Sequence, residues 1–166
     1  MRIHIIGGPG SGKTTLAKKI VANRGLPYMD LDDIQWDNSR NTYGHKNPEE
    51  IRDAALLKFL KGNSLWVIEG TYVGWLLPSF SAANIVIILL TPLWLRQFRV
   101  LRRSLRRKLG FEKSKHESLA DICTMLSWNA KWEKEKLPRA LKILTENKIP
   151  YRICKSQREV QNILAS

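Results

Sequence analysis

Short apolar runs alternate along the chain with stretches whose apolar residues recur at helical spacing, the pattern of parallel strands separated by covering helices. Arg2 to Ile6 predicts a buried strand, and Lys13 to Asn23 a helix with Leu16, Ile20 and Val21 on one face. Tyr28 to Leu31 reads as a second short strand, followed by a polar loop from Asp37 to Lys46. Asn47-Pro48-Glu49-Glu50 is a helix start, with Asn as N-cap, Pro at the first helical position and Glu three residues after the cap; that helix should stop near Gly62-Asn63. Leu65 to Ile68 and Asn84 to Leu90 are the third and fourth strands, and Thr91-Pro92 caps a new helix. Two further helices, about Ser118 to Lys136 and Arg139 to Glu146, precede a last strand from Tyr151 to Cys154. Ser156-Gln157-Arg158-Glu159 is a capping box that starts the terminal helix. The expectation is an α/β protein with five parallel strands and helices on both faces, a three-layer fold in one domain spanning 1–166.

Composition leaves that picture intact. A chain of 166 residues, 43% hydrophobic and 26% charged, is long enough for one core and lacks a biased tract. Cys123 and Cys154, in helix and strand contexts without CxxC spacing, read as buried reduced thiols. The longest apolar run, Ile85 to Leu90, is far short of the ~20 residues of a membrane span. A cytoplasmic protein is expected.

Charge changes the picture more. The formal net charge of +13 would attract any polyanion, and it is concentrated: between Trp94 and Lys115 nine Arg and Lys residues face one acid, Glu112. On a helix at 100° per residue, Arg96, Arg99, Arg103, Arg106 and Arg107 cluster on one side, with Trp94, Phe98, Leu101, Leu105 and Leu109 opposite. The apolar face is expected to dock on the protein, which argues against the helix lying on a membrane, and the other to present a cationic stripe.

The chemistry begins at the end of the first strand. Gly7-Gly8-Pro9-Gly10-Ser11-Gly12-Lys13-Thr14 fits G-x-x-x-x-G-K-[ST], between an apolar strand and a helix as a phosphate loop requires. A triphosphate must be wrapped by main-chain N–H groups, which glycines bring close without side-chain clashes, and the helix aims its positive dipole end at the anion. Gly8, Pro9, Gly10, Ser11, Gly12, Lys13, Thr14 and Thr15 are therefore the candidate nucleotide contacts. Lys13 would neutralise the β- and γ-phosphates and the Thr14 hydroxyl would ligate Mg²⁺. ATP is the expected nucleotide, with GTP as the alternative.

A phosphate loop on the first strand, acids after the second and an Arg-rich helix after the fourth resemble the nucleoside and small-molecule kinases of the P-loop superfamily. More narrowly, LDDIQW at Leu31 to Trp36, WVIEGTY at Trp66 to Tyr72 and LTPLWLRQFRVLRR at Leu90 to Arg103 look like the adenylate-kinase-related family labelled DNA topology modulation proteins. The resemblance implies a sheet in 2-3-1-4-5 order, a nucleotide at the carboxyl ends of its strands, and Mg²⁺. In kinases resembling this chain, an acid after the second strand hydrogen-bonds the acceptor hydroxyl and takes its proton.

Asp30 and Asp32, two apart at the end of the second strand, would lie on one face beside the crevice. Asp32 is the choice for the acceptor-side acid and Asp33 the alternative; the competing reading is that either caps the following turn. Glu69, at the end of the third strand, either supports Mg²⁺ through water or pairs with a cation. Trp36, Tyr43, Tyr72 and Trp75 either stack on a planar acceptor or belong to the core, while Trp128 and Trp132, a helical turn apart, read as packing. The monophosphate-binding arginines of adenylate kinases are missing from their places, with Arg40 the only nearby replacement. His4 reads as a satisfied core histidine, and His45 and His116 lack ligand-spaced partners.

The cationic stripe has three readings: a lid over the triphosphate, a nucleic-acid surface, or a solvated face. As a lid it makes Arg99 and Arg103 catalytic candidates and Arg96 a nucleotide contact, with the helix at about 92–109. The leading expectation is a small-molecule kinase using ATP and Mg²⁺. The runner-up is an NTP-dependent protein that engages DNA through the arginine helix, and a third is a slow NTPase with no acceptor.

Overall fold

The computed structural model describes residues 1–37, 45–108 and 119–165. Its strands are β1 (Arg2–Ile6), β2 (Tyr28–Asp30), β3 (Trp66–Gly70), β4 (Ile85–Leu89) and β5 (Tyr151–Cys154). They form one parallel sheet in the order β2-β3-β1-β4-β5, as expected. β1 is central, with Ile3 between Val67 and Ile85 and Ile6 between Gly70 and Ile88. The carboxyl ends of β1, β3 and β4 therefore share one edge, where open parallel sheets bind ligands.

Period-two alternation divides the core into two layers. Ile3, Ile5, Val67, Ile87 and Leu89 pack with Leu16 and Ala17 of α1 (Lys13–Arg24) and Val160. Ile6, Trp66, Ile68, Val86 and Ile88 pack on the other face with Leu56, Phe80, Trp132 and Leu144. His4 lies in this second layer, edge-on to Phe80 at 4.7 Å. It is a core histidine but not a satisfied one: neither ring nitrogen has a hydrogen-bond partner, and burial pushes its pKa down to about 3.

Several local expectations shift. Asp30 caps a short helix α2 (Leu31–Gln35), which takes Leu31 out of the second strand. Helix α3 (Glu49–Gly62) is capped at Pro48, because the Asn47 side chain is drawn instead to the carbonyls of Ile34 and Trp36. A short helix α4 (Leu77–Ala82) fills the turn before β4. The Arg-rich segment is α5 (Leu93–Lys108). The two helices expected before β5 are one run, α6 (Leu119–Lys131), a π-helical turn at Trp132–Lys136, and α7 (Leu137–Glu146). Pro138 lacks an N–H for the ladder, and the wider turn absorbs its ring. Glu159 N–H donates to Ser156 Oγ at the start of α8 (Gln157–Ala165), the expected capping contact. Cys154 is buried but Cys123 is exposed, against expectation. No described helix is long and apolar enough to cross a membrane. Arg40, Tyr43, Leu109, Glu112, Lys113, Lys115 and His116 lie outside the described residues.

Candidate active site

β1 delivers the chain into the glycine loop, where Gly10 (φ 75°) and Gly12 (φ 93°) adopt the left-handed backbone that side chains disfavour. The loop is also backed closely by α5: a Cβ on Gly8 would collide with the Arg96 guanidinium, and one on Gly10 would stand 2.5 Å from the Arg96 carbonyl oxygen. Three elements grip its carbonyls. Thr91 Oγ1 donates to Ser11 O at 2.9 Å, Gln157 Nε2 to Gly12 O at 3.1 Å, and Arg99 Nη1 to Gly10 O and Ser11 O at 3.3 and 3.2 Å. Such fixing suits a loop whose main-chain donors must be preorganised for an anion.

Lys13 is buried, with its ammonium 3.7 Å from Glu69 Oε2. Glu69 Oε1 accepts from Tyr28 at 3.1 Å, while Oε2 is buried without a hydrogen bond. Asp30 lies in register with Glu69 across β2 and β3. Burial and then the Glu69 charge raise the Asp30 carboxyl to about 7, and burial followed by Asp32 raises Asp33. Among the described residues no cluster of three or more ligating side chains forms a metal cage. The donor set nevertheless fits Mg²⁺, which takes most of its ligands from phosphate and water: a hydroxyl at Thr14 and an orphaned buried carboxylate oxygen on Glu69.

Asp30 and Asp32 do not share a strand face. β2 ends at Asp30, whose Oδ1 accepts the Asp32 N–H at 2.9 Å, so Asp30 rather than Asp32 or Asp33 is the cap. Asp32 is released toward the neighbouring element, and its Oδ1 accepts the Tyr72 hydroxyl at 2.6 Å.

Helix α5 reverses the expected orientation. Trp94, Phe98, Leu101 and Leu105, expected to dock, are 69, 57, 48 and 58% exposed, whereas Arg96 is fully buried. Its guanidinium pairs with Glu133 of the π-helical turn, and Nε and Nη1 have no partner. Asn129, one turn earlier, is buried beside Gly8 with its amide also unpartnered. Arg99 and Arg103 join Lys13, Thr14 and Thr15 around a groove of about 200 Å³. Arg103 Nη2 reaches Met125 Sδ at 3.6 Å. The uninterrupted solvent stripe is therefore absent. Arg96 belongs inside, because the loop's glycines leave room for it and Glu133 supplies its counter-charge.

A larger cavity, about 510 Å³, opens beyond Asp32. Trp36, Tyr72 and Trp75 line it as candidate stacking residues, but so do Trp128 and Trp132. Trp132 is core, donating Nε1 to Thr71 O at 3.2 Å; Trp128 is half exposed on the wall. Arg52 of α3 also lines the cavity, which corrects the view of Arg40 as the only nearby arginine. Sequence reasoning missed Arg52, Tyr28, Asn129 and Glu133, whose roles rest on contacts across separate elements; a buried arginine beside a glycine loop has no local sequence signal.

Solved structures similar over nearly the whole chain include shikimate kinase from Acinetobacter baumannii in complex with shikimate, with 19% identity, TM-score 0.61 and coverage of 99% of this chain and 91% of that one. Shikimate kinase from Bacteroides thetaiotaomicron gives 13%, 0.65, 100% and 99% in the same order. Deoxyadenosine kinase from M. mycoides with bound dATP gives 13%, 0.53, 100% and 100%. The chain has the fold of the P-loop kinases. At these identities the likeness is one of fold. No family model and no curated protein matches the chain. In a P-loop kinase fold the glycine loop, Lys13 and the Asp32 cavity all stand at the carboxyl edge of the sheet, the edge such folds use for ligands.

Proposed function

We propose that the protein is a kinase that transfers the γ-phosphate of ATP, with Mg²⁺, to a small-molecule acceptor seated beside Asp32. One observation carries the reading: the phosphate loop and the cavity are joined by a short line of side-chain and main-chain contacts. It runs from Lys13 to Glu69, across the strand register to Asp30, and through the capped Asp32 to Tyr72 on the cavity wall.

In the reaction, an acceptor oxygen bonds to the γ-phosphorus as the bond from phosphorus to the β,γ-bridging oxygen breaks. Asp32 takes the acceptor's proton, and ADP leaves. Lys13 and the loop hold the phosphates; the unpartnered Nη1 of Arg96 beside Gly8 supplies a donor for a phosphoryl oxygen. Arg99 and Arg103 flank the groove from outside, and reaching the phosphates requires Arg99 to exchange the loop carbonyls for them. Thr14 and Glu69 would hold Mg²⁺, whose chemistry is to neutralise charge developing on the phosphates. ATP is preferred over GTP as the working nucleotide. The nucleic-acid reading loses its main support, since Arg96 is buried and Arg99 is engaged with the loop. The narrower likeness to DNA topology modulation proteins is carried by the sequence motifs alone.

A phosphoryl-transfer screen with labelled ATP over nucleosides, monophosphates and small hydroxy compounds tests the proposal. Transfer that Lys13→Ala abolishes is expected; hydrolysis without transfer to any acceptor would sink it.

A further inference from the structure

The cavity beyond Asp32 has a chemistry more specific than "small molecule". Aromatic rings supply much of its wall, and Tyr72 and Trp75 pair with centroids 5.7 Å apart. Trp128 presents its ring from the opposite element while 48% exposed, an unusual position for an indole kept only for packing.

Charge in the cavity is unbalanced. Arg52 is neutralised by Asp53 at 2.8 Å and Glu49 at 4.0 Å, and stacks over Trp75 at 4.3 Å. Lys46, Lys131 and Lys136 remain, against Glu135 on the wall and Asp32 behind Tyr72. Lys136 is pinned over Thr71 O at 3.4 Å and Tyr72, and burial, with the charge of Lys46, depresses its pKa even though Asp32 and Glu135 oppose that shift. Such a site gains by admitting an anion. Gln35 is 5% exposed and its Oε1 has no partner, a desolvation cost that a ligand donor would remove.

We infer that the acceptor is a planar heterocycle bearing an anionic substituent, stacked on the Trp75–Tyr72–Trp128 walls. The ring presents a hydrogen-bond donor to Gln35, and the anion faces Lys46, Lys131 and Lys136. This rests on the kinase reading only for the word acceptor; the binding site stands by itself. A carboxylate and a phosphate share the required chemistry, and the probes separate them.

Calorimetric titration of the full chain, with and without a non-hydrolysable ATP analogue, would compare orotate with uracil, adenosine 5′-monophosphate with adenosine, and ring-free ribose 5-phosphate. At least one anionic ring should bind about 10-fold or more tighter than its neutral counterpart and than ribose 5-phosphate, the scale of one charge-assisted contact. Orotate or the monophosphate in the lead assigns carboxylate or phosphate. Lys131→Ala with Lys136→Ala should erase the preference for the anion, and Trp128→Ala should weaken each ring and its neutral partner alike. Neutral rings or ring-free phosphate binding as tightly as the anionic rings would overturn the inference, as would no binding of any probe. Anionic-ring binding without phosphoryl transfer to that ring or any other compound would count against the kinase reading alone. Transfer to a neutral or ring-free acceptor would overturn this inference and leave the kinase reading intact.

Discussion

The glycine loop and helix α5 touch each other, and both have strong sequence patterns, yet only the loop's pattern reveals its environment. The loop's requirements are local: left-handed backbone at Gly10 and Gly12, and small residues where another element approaches. The orientation of α5 depends on partners far along the chain. Glu133, 37 residues after Arg96, supplies the counter-charge to the buried guanidinium, and the loop's own carbonyls take Arg99. Amphipathic periodicity establishes that a helix has two unlike faces. Which face turns inward is decided by what waits there, and here a partly exposed acid and a bare glycine loop outweigh four large apolar side chains.

Removing the counter-charge should have the largest effect on α5. Glu133→Ala should leave Arg96 buried and unpaired, lowering the unfolding free energy in urea by about 2–4 kcal/mol, less than for a wholly buried pair because Glu133 is 37% exposed, while Arg96→Met combined with Glu133→Leu should recover much of that. A loss below about 1 kcal/mol would mean that α5 is held some other way. Gly8→Ala comes next: its Cβ would press the fixed Arg96 guanidinium, at a cost of about 1–3 kcal/mol by the same assay.

His4 sharpens the contrast between a legible position and an illegible environment. Its folded pKa of about 3 lies below the ordinary value of 6.5, so its contribution is complete above pH 6.5 and is lost as pH falls toward 3. The slope is roughly 1.4 kcal/mol per pH unit. Asp30, raised to about 7, contributes oppositely: its stabilisation is complete below the ordinary carboxyl range and is lost as pH rises through 7. Relative to His4→Leu, the parent should therefore lose stability steadily below pH 6.5; parallel curves would show that His4 is not held neutral by burial. The smallest effect belongs to the exposed side of α5. Phe98→Ser and Leu101→Ser should each change stability by within about 0.5 kcal/mol, whereas docking of that face would make the loss about 2–5 kcal/mol.

The five strands and the two core layers are legible in apolar runs such as Ile3 to Ile6 and Ile85 to Leu89, whereas the sheet order, with β1 at its centre, is what the resemblance to the P-loop kinases implies. The loop is legible because Gly7 to Thr14 holds its whole pattern in one short window. Half of the acceptor side is not. Asp30 and Asp32 look like partners on a strand face, but Asp is as much a helix cap as a strand-end acid, and capping turns the chain into α2 before Asp32 is reached. The cavity assembles Gln35, Arg52, Tyr72 and Trp128 from four separate stretches, so no short window contains its chemistry. Trp128 and Trp132 share one helical face in sequence, but Trp132 enters the core while Trp128 remains on the wall.

Equilibrium binding of a labelled ATP analogue to the parent and to Lys13→Ala, each with and without Mg²⁺, tests whether the glycine loop is the phosphate site. Lys13→Ala should bind about 10-fold weaker or more, a loss of about 1.4 kcal/mol, and Mg²⁺ should tighten binding by the parent. Equal affinity of the two proteins would contradict the loop's role as the phosphate site.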